Sequence, residues 1–524
     1  MQKLDRRGFL GLTGAAGVGL AAAVAGLSDA PAWATGRLPT DLFKLGVASG
    51  DPLPDGVVLW TRLAPDALAA DGLGGMPRRV VPVQWEVAED ARFRHVVRRG
   101  LDLATPELGH SVHAEVSGLR ADREYFYRFR AGNEVSPVGR TRTAPEPWAR
   151  PGSLAFAFVS CQNFPTGHFT PYRHLVEEDL DLVVHLGDYI YEGPAAGTIG
   201  RAHLPAAEIF SLADYRVRHA QYKTDPDLQA AHARFPWAVT WDDHEVENNY
   251  ADELSEDANQ SPESFRQRRA AAYQAYYEHL PLRRSALPRG ADMRLYRRLR
   301  YGQLAEFNVL DGRQYRDDQV CGGGSSAPCD DALDPSRSML GAQQEKWLLD
   351  GLTSSHATWN ILAQQTVMAR ADRDPGPGLL LPMDNWNGYE PARQRIFDRV
   401  AQRRIDNMVV VTGDAHCSMV ADLKQNFDDP KSRTVGVEFL GTSITSGADG
   451  ADMDARGTEW LASNPHMKYY NQRRGYVRCT VGRDEWRSDY RVVPYVTTPG
   501  APVSTHASFV VESGRPGVQA DTTH

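Results

Sequence analysis

The chain has no surplus of positive charge. Its 524 residues carry 58 Lys and Arg against 67 Asp and Glu, a net charge of −9. Nucleic-acid binding asks for basic patches, so that class has no support here, whereas binding of cations is compatible with the balance. Past the N-terminus no run approaches the roughly 20 apolar residues of a membrane span. No convincing amphipathic helix for docking on a membrane face is evident either. A stable nucleic-acid or membrane partner is therefore not expected. Gly and Pro (46 and 33 residues) show no collagen-like period, and there is no internal repeat or long low-complexity tract. With 42% hydrophobic and 24% charged residues, the chain is long enough for one large domain, or a large one and a small one.

Cysteine is also scarce. There are five, Cys161, Cys321, Cys329, Cys417 and Cys479. Cys321 and Cys329 bracket a Gly/Ser-rich loop, CGGGSSAPC, and can pair across it; Cys417 and Cys479 are a candidate second pair. An odd count leaves one thiol over, and its place at the end of an apolar run makes Cys161 the choice. Disulfides require an oxidising compartment, and the N-terminus agrees. Asp5-Arg-Arg-Gly-Phe-Leu10 leads into a soft apolar stretch and then Ala32-Trp-Ala34, the order of an export signal. The Arg6-Arg7 pair before Phe9-Leu10 resembles a twin-arginine signal rather than a general-secretory one. The expectation is a signal over 1–34, a transient partnership with the twin-arginine translocase, which carries folded proteins, and a secreted product.

Residues 41–145 carry short strand-like runs, Val57-Val-Leu-Trp60, Val81–Val87 and Ala114-Glu-Val116, and an alternating stretch, Leu119–Ala131. They resemble an immunoglobulin- or fibronectin-III-like β-sandwich, with Tyr125 or Tyr127 as a tyrosine-corner candidate. Thr143–Pro147 reads as the linker out. Over 150–495 short apolar runs alternate with helical patterns such as Ser264–Leu280, Gln343–Leu352 and Ala392–Ala401, an α/β pattern with a largely covered sheet. Residues 496–524, rich in Thr, Pro, Gly and Ser, form either an ordered cover or a loose tail.

Six of the apolar runs end in polar groups suited to ligation or catalysis. After Val159 come Cys161, Gln162 and Asn163; after Leu186, Asp188; after Trp241, Asp242-Asp243-His244-Glu245; after Leu310, Asp311 and Arg313; after Leu362, Gln364-Gln365; after Thr412, Asp414 and His416. In open α/β sheets, sites form beyond the carboxyl ends of strands. Each ending has a plain alternative. Gly187-Asp188 is also a turn signal; Tyr191 suits a core; Asp243 and Glu245 suit a helix N-cap and first turn; a buried Cys161 is commonly a small apolar filler. Yet adjacent Asp242 and Asp243 repel unless a cation compensates. Sulfur, phenolate and imidazole beside carboxylates and amides suit one soft-to-borderline metal next to harder ones. Six such endings together favour a cleft lined by metal ligands.

The ordered set C-x-N, G-D-x-x-Y, D-H-E, Q-Q and G-D-x-H resembles the calcineurin-like metallophosphoesterase series D-x-H, G-D, G-N-H-E, H and G-H-x-H, with substitutions. G-D-x-x-Y is also the tyrosinate signature of purple acid phosphatases. These forms, with Gly46-Val-Ala-Ser-Gly-Asp-Pro52 and Leu310-Asp-Gly-Arg-Gln-Tyr-Arg-Asp317, resemble the PhoD-type alkaline phosphatase/phosphodiesterase family, which includes secreted phospholipase D-like enzymes. The resemblance implies a four-layer α/β/β/α sandwich behind a small β-sandwich domain, and a ferric ion with calcium ions nearby. Residue by residue, Cys161 and Asn163 stand in the first motif, Asp188 at the metal-bridging position and Tyr191 at the iron-bound phenolate. Asp243 stands for the Asn of G-N-H-E, and His244 keeps the phosphate-contacting His. Gln365 or Gln364 replaces the fourth-motif His, and Asp414 and His416 take the two places of G-H-x-H. The expected reaction is hydrolysis of a phosphate ester or diester by metal-bound hydroxide or oxide attacking phosphorus in line, with His244 on a phosphate oxygen or leaving group. Arg313 is either a phosphate clamp or a salt bridge bracing its own segment, and Asn248 and Asn249 either add an oxygen ligand or form a turn. Two other readings are a phospholipase D-type enzyme on the same scaffold and a non-catalytic cell-surface binding protein.

Overall fold

The structure is a computed structural model that describes residues 38–195 and 197–521; the expected export signal lies outside these. Two mixed sheets face each other. One has ten strands, with Ser153–Val159, Leu182–His185 and Pro236–Val239 as adjacent parallel strands at its centre. The other has seven, with Ala305–Val309, Trp359–Ala363 and Met408–Thr412 parallel at its centre.

The continuous apolar runs are explained by burial on both faces, because successive side chains in a strand point to opposite sides. Phe156 and Phe158 join Val184, Phe307, Ile361, Val409 and Trp486 in the core between the sheets. Ala157, Val159 and Val183 pack outward, in a core that includes Tyr215, Phe265 and Tyr273 of the helices Leu212–Lys223 and Pro262–His279. The far side of the second sheet is covered by Gly341–Ser354 and Glu390–Arg403, through Leu348, Ile396 and Phe397. The layers run α/β/β/α, as the motif resemblance implied. Among the described residues no helix is long and apolar enough to cross a membrane.

The N-terminal sandwich is built into this frame. Its strands Val47–Leu53, Gly56–Arg62 and Ser111–Ser117 continue the ten-stranded sheet, because Val47–Leu53 pairs in parallel with Pro236–Val239. Its other sheet has five strands, and Val83, Val112, Tyr127 and Phe129 fill the space between. Of the two tyrosine-corner candidates, Tyr125 has the corner's bond: its hydroxyl accepts the Arg120 amide at 2.9 Å. At the other end Ser504–Glu512 pairs with Glu485–Val493, so this strand of the segment past 496 extends the sheet.

Cys321 and Cys329 are bonded, with Cα atoms 5.7 Å apart. Cys417 and Cys479 are not; both are free and buried. The reason is their layers: Cys417 packs on the helix side of the second sheet and Cys479 in the core between the sheets. Closing so short a loop restricts the unfolded chain modestly. Replacing Cys321 and Cys329 by serine is expected to lower stability by about 2–3 kcal/mol, read from denaturant melts.

Candidate metal centre

Parallel pairing brings the strand ends together. Cys161, Asp188 and Asp242–Glu245 follow three neighbouring strands of the first sheet, and Asp311–Arg313, Gln364–Gln365 and Asp414–His416 follow three of the second. Asp243, His244 and Glu245 lie in a turn, not at a helix start. Cys161, Asp188, Asp414 and His416 all take left-handed backbone angles, φ 58°, 55°, 63° and 55°. Such angles are unfavourable for non-glycine residues and cluster at functional sites.

Two groups of ligating atoms form, each within 4.8 Å: Cys161, Asp188 and His416, and Asp188, Asp243 and His244. Asp188 belongs to both. The Tyr191 hydroxyl donates to Asp188 Oδ2 at 2.7 Å and lies 3.1 Å from His416 Nε2. It also accepts from Ser446 Oγ at 2.7 Å. Sulfur, phenol, imidazole and carboxylate therefore converge as expected. Among the buried oxygens without a hydrogen-bond partner are Asp188 Oδ1, Asn163 Oδ1 and Asp242 Oδ2, all at these strand ends. Natural interiors rarely leave such groups unpaired, and a cation would satisfy them. Burial, then the charge of Asp188, pushes the Cys161 thiol and the Tyr191 phenol well above their ordinary values. Both would bind as anions only if a cation overrode that effect, as coordinated metals do. The donor set thus fits a metal.

His244 is set by Glu192. Its Nδ1 lies 2.7 Å from Glu192 Oε2, and the Tyr191 ring sits 4.2 Å from its own. Burial opposes the imidazolium, but Glu192, Asp243 and Asp188 outweigh it and raise the pKa well above the usual range. Asp243 accepts the amides of His244 (2.9 Å) and Asn249 (2.7 Å). Asn248 and Asn249 both donate their side-chain amides to Glu256. Asp414 keeps 27% of its side chain exposed and His416 35%, so the cleft opens on their side. Burial, opposed by Arg313 but reinforced by Asp384, Asp243 and Asp188, pushes the Asp414 carboxyl up to about 8; this is crowding of acids that a cation would relieve.

Arg313 and the two glutamines are engaged by protein groups. Arg313 does not face the opening; its side chain is 0% exposed. Its Nε bonds Asp242, its Nη1 donates to Asp384 at 2.9 Å, and its Nη2 lies 3.6 Å from Asp243 and 3.8 Å from Asp414. It is a buried counter-charge beneath four carboxylates, and part of the compensation that Asp242 and Asp243 require comes from this guanidinium. Removing one partner of a buried ion network leaves charge uncompensated, so Arg313→Met is expected to cost about 3–5 kcal/mol, measured by thermal or denaturant unfolding. Gln365 is likewise engaged. Its Oε1 accepts the Gly312 amide (3.0 Å), and its Nε2 donates to Thr240 Oγ1 (3.0 Å) and Leu310 O (2.9 Å). Gln364 bonds Trp386 and Thr412. Both glutamines tie strand ends together, and each amide oxygen already accepts one hydrogen bond, from Gly312 N or Trp386 Nε1. Glu192, Ser446 and Asp384 are additions that the motifs did not supply; only their neighbours in space, not in sequence, reveal them.

Comparison with known proteins places the chain in a family. Residues 156–490 match the family model described as PhoD-like phosphatase, and residues 29–145 match its N-terminal domain. Alkaline phosphatase D of Bacillus subtilis (strain 168) is 53% identical over 483 residues, covering 91% of this chain and 82% of that protein. A solved structure described as that of PhoD superposes with a TM-score of 0.90 at 51% identity, over 93% of this chain and 94% of the other. The purple acid phosphatase PPD1 of yellow lupin is matched over 89% of this chain and 73% of its own at 13% identity, with a TM-score of 0.49. The chain therefore belongs to the PhoD-like phosphatase family.

Proposed function

We propose that the protein is an exported, metal-dependent phosphoester hydrolase of the alkaline phosphatase D type, acting on phosphate monoesters and diesters. The observation that carries this reading is Asp188, shared between two groups of ligating atoms, beside a relative named as a phosphatase at 53% identity. Thiol, phenol and imidazole at Cys161, Tyr191 and His416 suit ferric iron; the oxygens of Asp188, Asp243 and Asn163 suit calcium. When bound, such ions supply positive charge for phosphate oxygens and acidify coordinated water.

The chain's own residues do the rest. Asp188 ties the two halves of the site into one unit. His244, held by Glu192, keeps its proton and offers it to a phosphate oxygen or a departing alkoxide. Arg313 is a positioning residue: it holds Asp242, Asp243 and Asp414 at one end of the cleft against their mutual repulsion. The Arg6-Arg7 signal fits export of a protein folded around its cofactor. One preparation assayed on p-nitrophenyl phosphate, its bis ester and phosphatidylcholine, with elemental analysis of the same sample, tests the reading. Turnover of one of the three by protein containing iron and calcium supports it; no turnover by metal-loaded protein rejects it and favours a binding role.

A further inference from the structure

The segment Gly187–Tyr189 carries Asp188 in a left-handed conformation, with Gly187 at φ 117° just before it. Aspartate enters that region more readily than most residues, though still at a cost, and the surroundings hold it there. They do so through every backbone polar group of the three residues. The carbonyls of Gly187 and Asp188 accept the amides of Cys161 and Gln162, each at 3.1 Å. The Tyr189 carbonyl accepts Gln162 Nε2 at 2.8 Å, and the Gly187 amide meets His185 Nδ1 at 3.2 Å. The amides of Asp188 and Tyr189 are held by one side chain, Glu245: Oε2 accepts Asp188 N at 3.1 Å and Oε1 accepts Tyr189 N at 2.6 Å. Glu245 Oε2 also accepts the Asp242 amide at 2.9 Å.

One buried carboxylate, 1% exposed, thus joins the loop of Asp188 to the loop of Asp242 and Asp243. The two loops press together closely: a Cβ added at Gly187 would lie 2.4 Å from that of Asp242. We propose that Glu245 is a positioning residue that fixes the left-handed turn at Asp188 and its separation from Asp243. It acts through three amides and touches no ligand or substrate. The geometry is that of an outer-shell group, whose loss typically lowers metal affinity or activity ten- to a hundredfold. Glutamine in its place would set an NH2 group against backbone N–H donors; aspartate would keep both acceptor oxygens but fall short of spanning both loops.

The inference rests on the metal reading above, and its test separates the two. Amide hydrogen exchange is measured on full-length, chelator-stripped wild type, Glu245→Gln and Glu245→Asp; ferric iron and calcium are then titrated back. The expected result is exchange at Asp188, Tyr189 and Asp242 at least tenfold faster in Glu245→Gln, with metal affinity ten- to a hundredfold weaker and a single unfolding transition retained. If Glu245→Gln does not fold, Glu245→Asp is expected to show the same changes in the same direction. Unchanged exchange at these amides overturns the clamp. Faster exchange with undiminished metal affinity overturns its positioning role. Wild type that takes up neither ion overturns the metal reading itself, and the positioning role with it, whatever the exchange shows.

Discussion

Asp188→Asn is expected to lower phosphoester turnover by about 10²–10³-fold, the scale seen when one preorganised electrostatic group is removed from a catalytic site. The substitution keeps shape and one acceptor oxygen but removes a charge. That charge is the common member of both ligand groups. The amide would also meet the Tyr191 hydroxyl, which now donates to Asp188 Oδ2. Stability should change far less than activity. The backbone of 187–189 is held by Cys161, Gln162, His185 and Glu245, not by the Asp188 carboxylate, whose Oδ1 has no hydrogen-bond partner. Turnover, metal content and a melting curve on the same sample check this. Near-wild-type turnover with full metal content would remove Asp188 from the chemistry.

Metal removal is expected to have the other large effect. Exhaustive chelation should abolish measurable turnover, and re-adding iron and calcium together should restore it. Holding crowded carboxylates without their cations is costly: burial, with Asp384, Asp243 and Asp188 outweighing Arg313, pushes the Asp414 carboxyl up to about 8, so the stripped site should take up protons. Chelation should therefore also lower the melting temperature, since a bound ligand stabilises the state that binds it. A phenolate bound to ferric iron absorbs in the visible, so the as-isolated protein should be coloured, and Tyr191→Phe should bleach it. Full turnover in stripped, colourless protein would contradict the assignment.

The fold was legible wherever local pattern and burial coincide. Runs such as Leu154–Val159 are apolar on both faces because a sheet lies in front of them and helices behind, and their ends announce the site. What could not be read is what each polar strand end faces. Gln365 and Asp188 look alike in sequence, a polar residue after a buried strand. One has its amide nitrogen and oxygen both engaged, by Gly312, Thr240 and Leu310, while the other keeps a buried oxygen with no partner. Arg313 reads equally as a phosphate clamp or a salt bridge in sequence; its contacts with Asp242 and Asp384 come from other parts of the chain. Glu192 and Ser446 act through contacts made 52 and 255 positions away, for which no local pattern exists. The proposed second disulfide failed for a related reason, since sequence separates Cys417 from Cys479 by distance along the chain but not by layer.

The most direct measurement is anomalous diffraction from crystals of the as-purified protein, recorded at and below the iron absorption edge. The account predicts an iron peak within bonding distance of Cys161 Sγ, the Asp188 carboxylate, Tyr191 Oη and His416, and a lighter cation sharing Asp188 with Asp243. Density showing the Asp188 carboxylate bonded to no ion, in crystals of active enzyme, would contradict it.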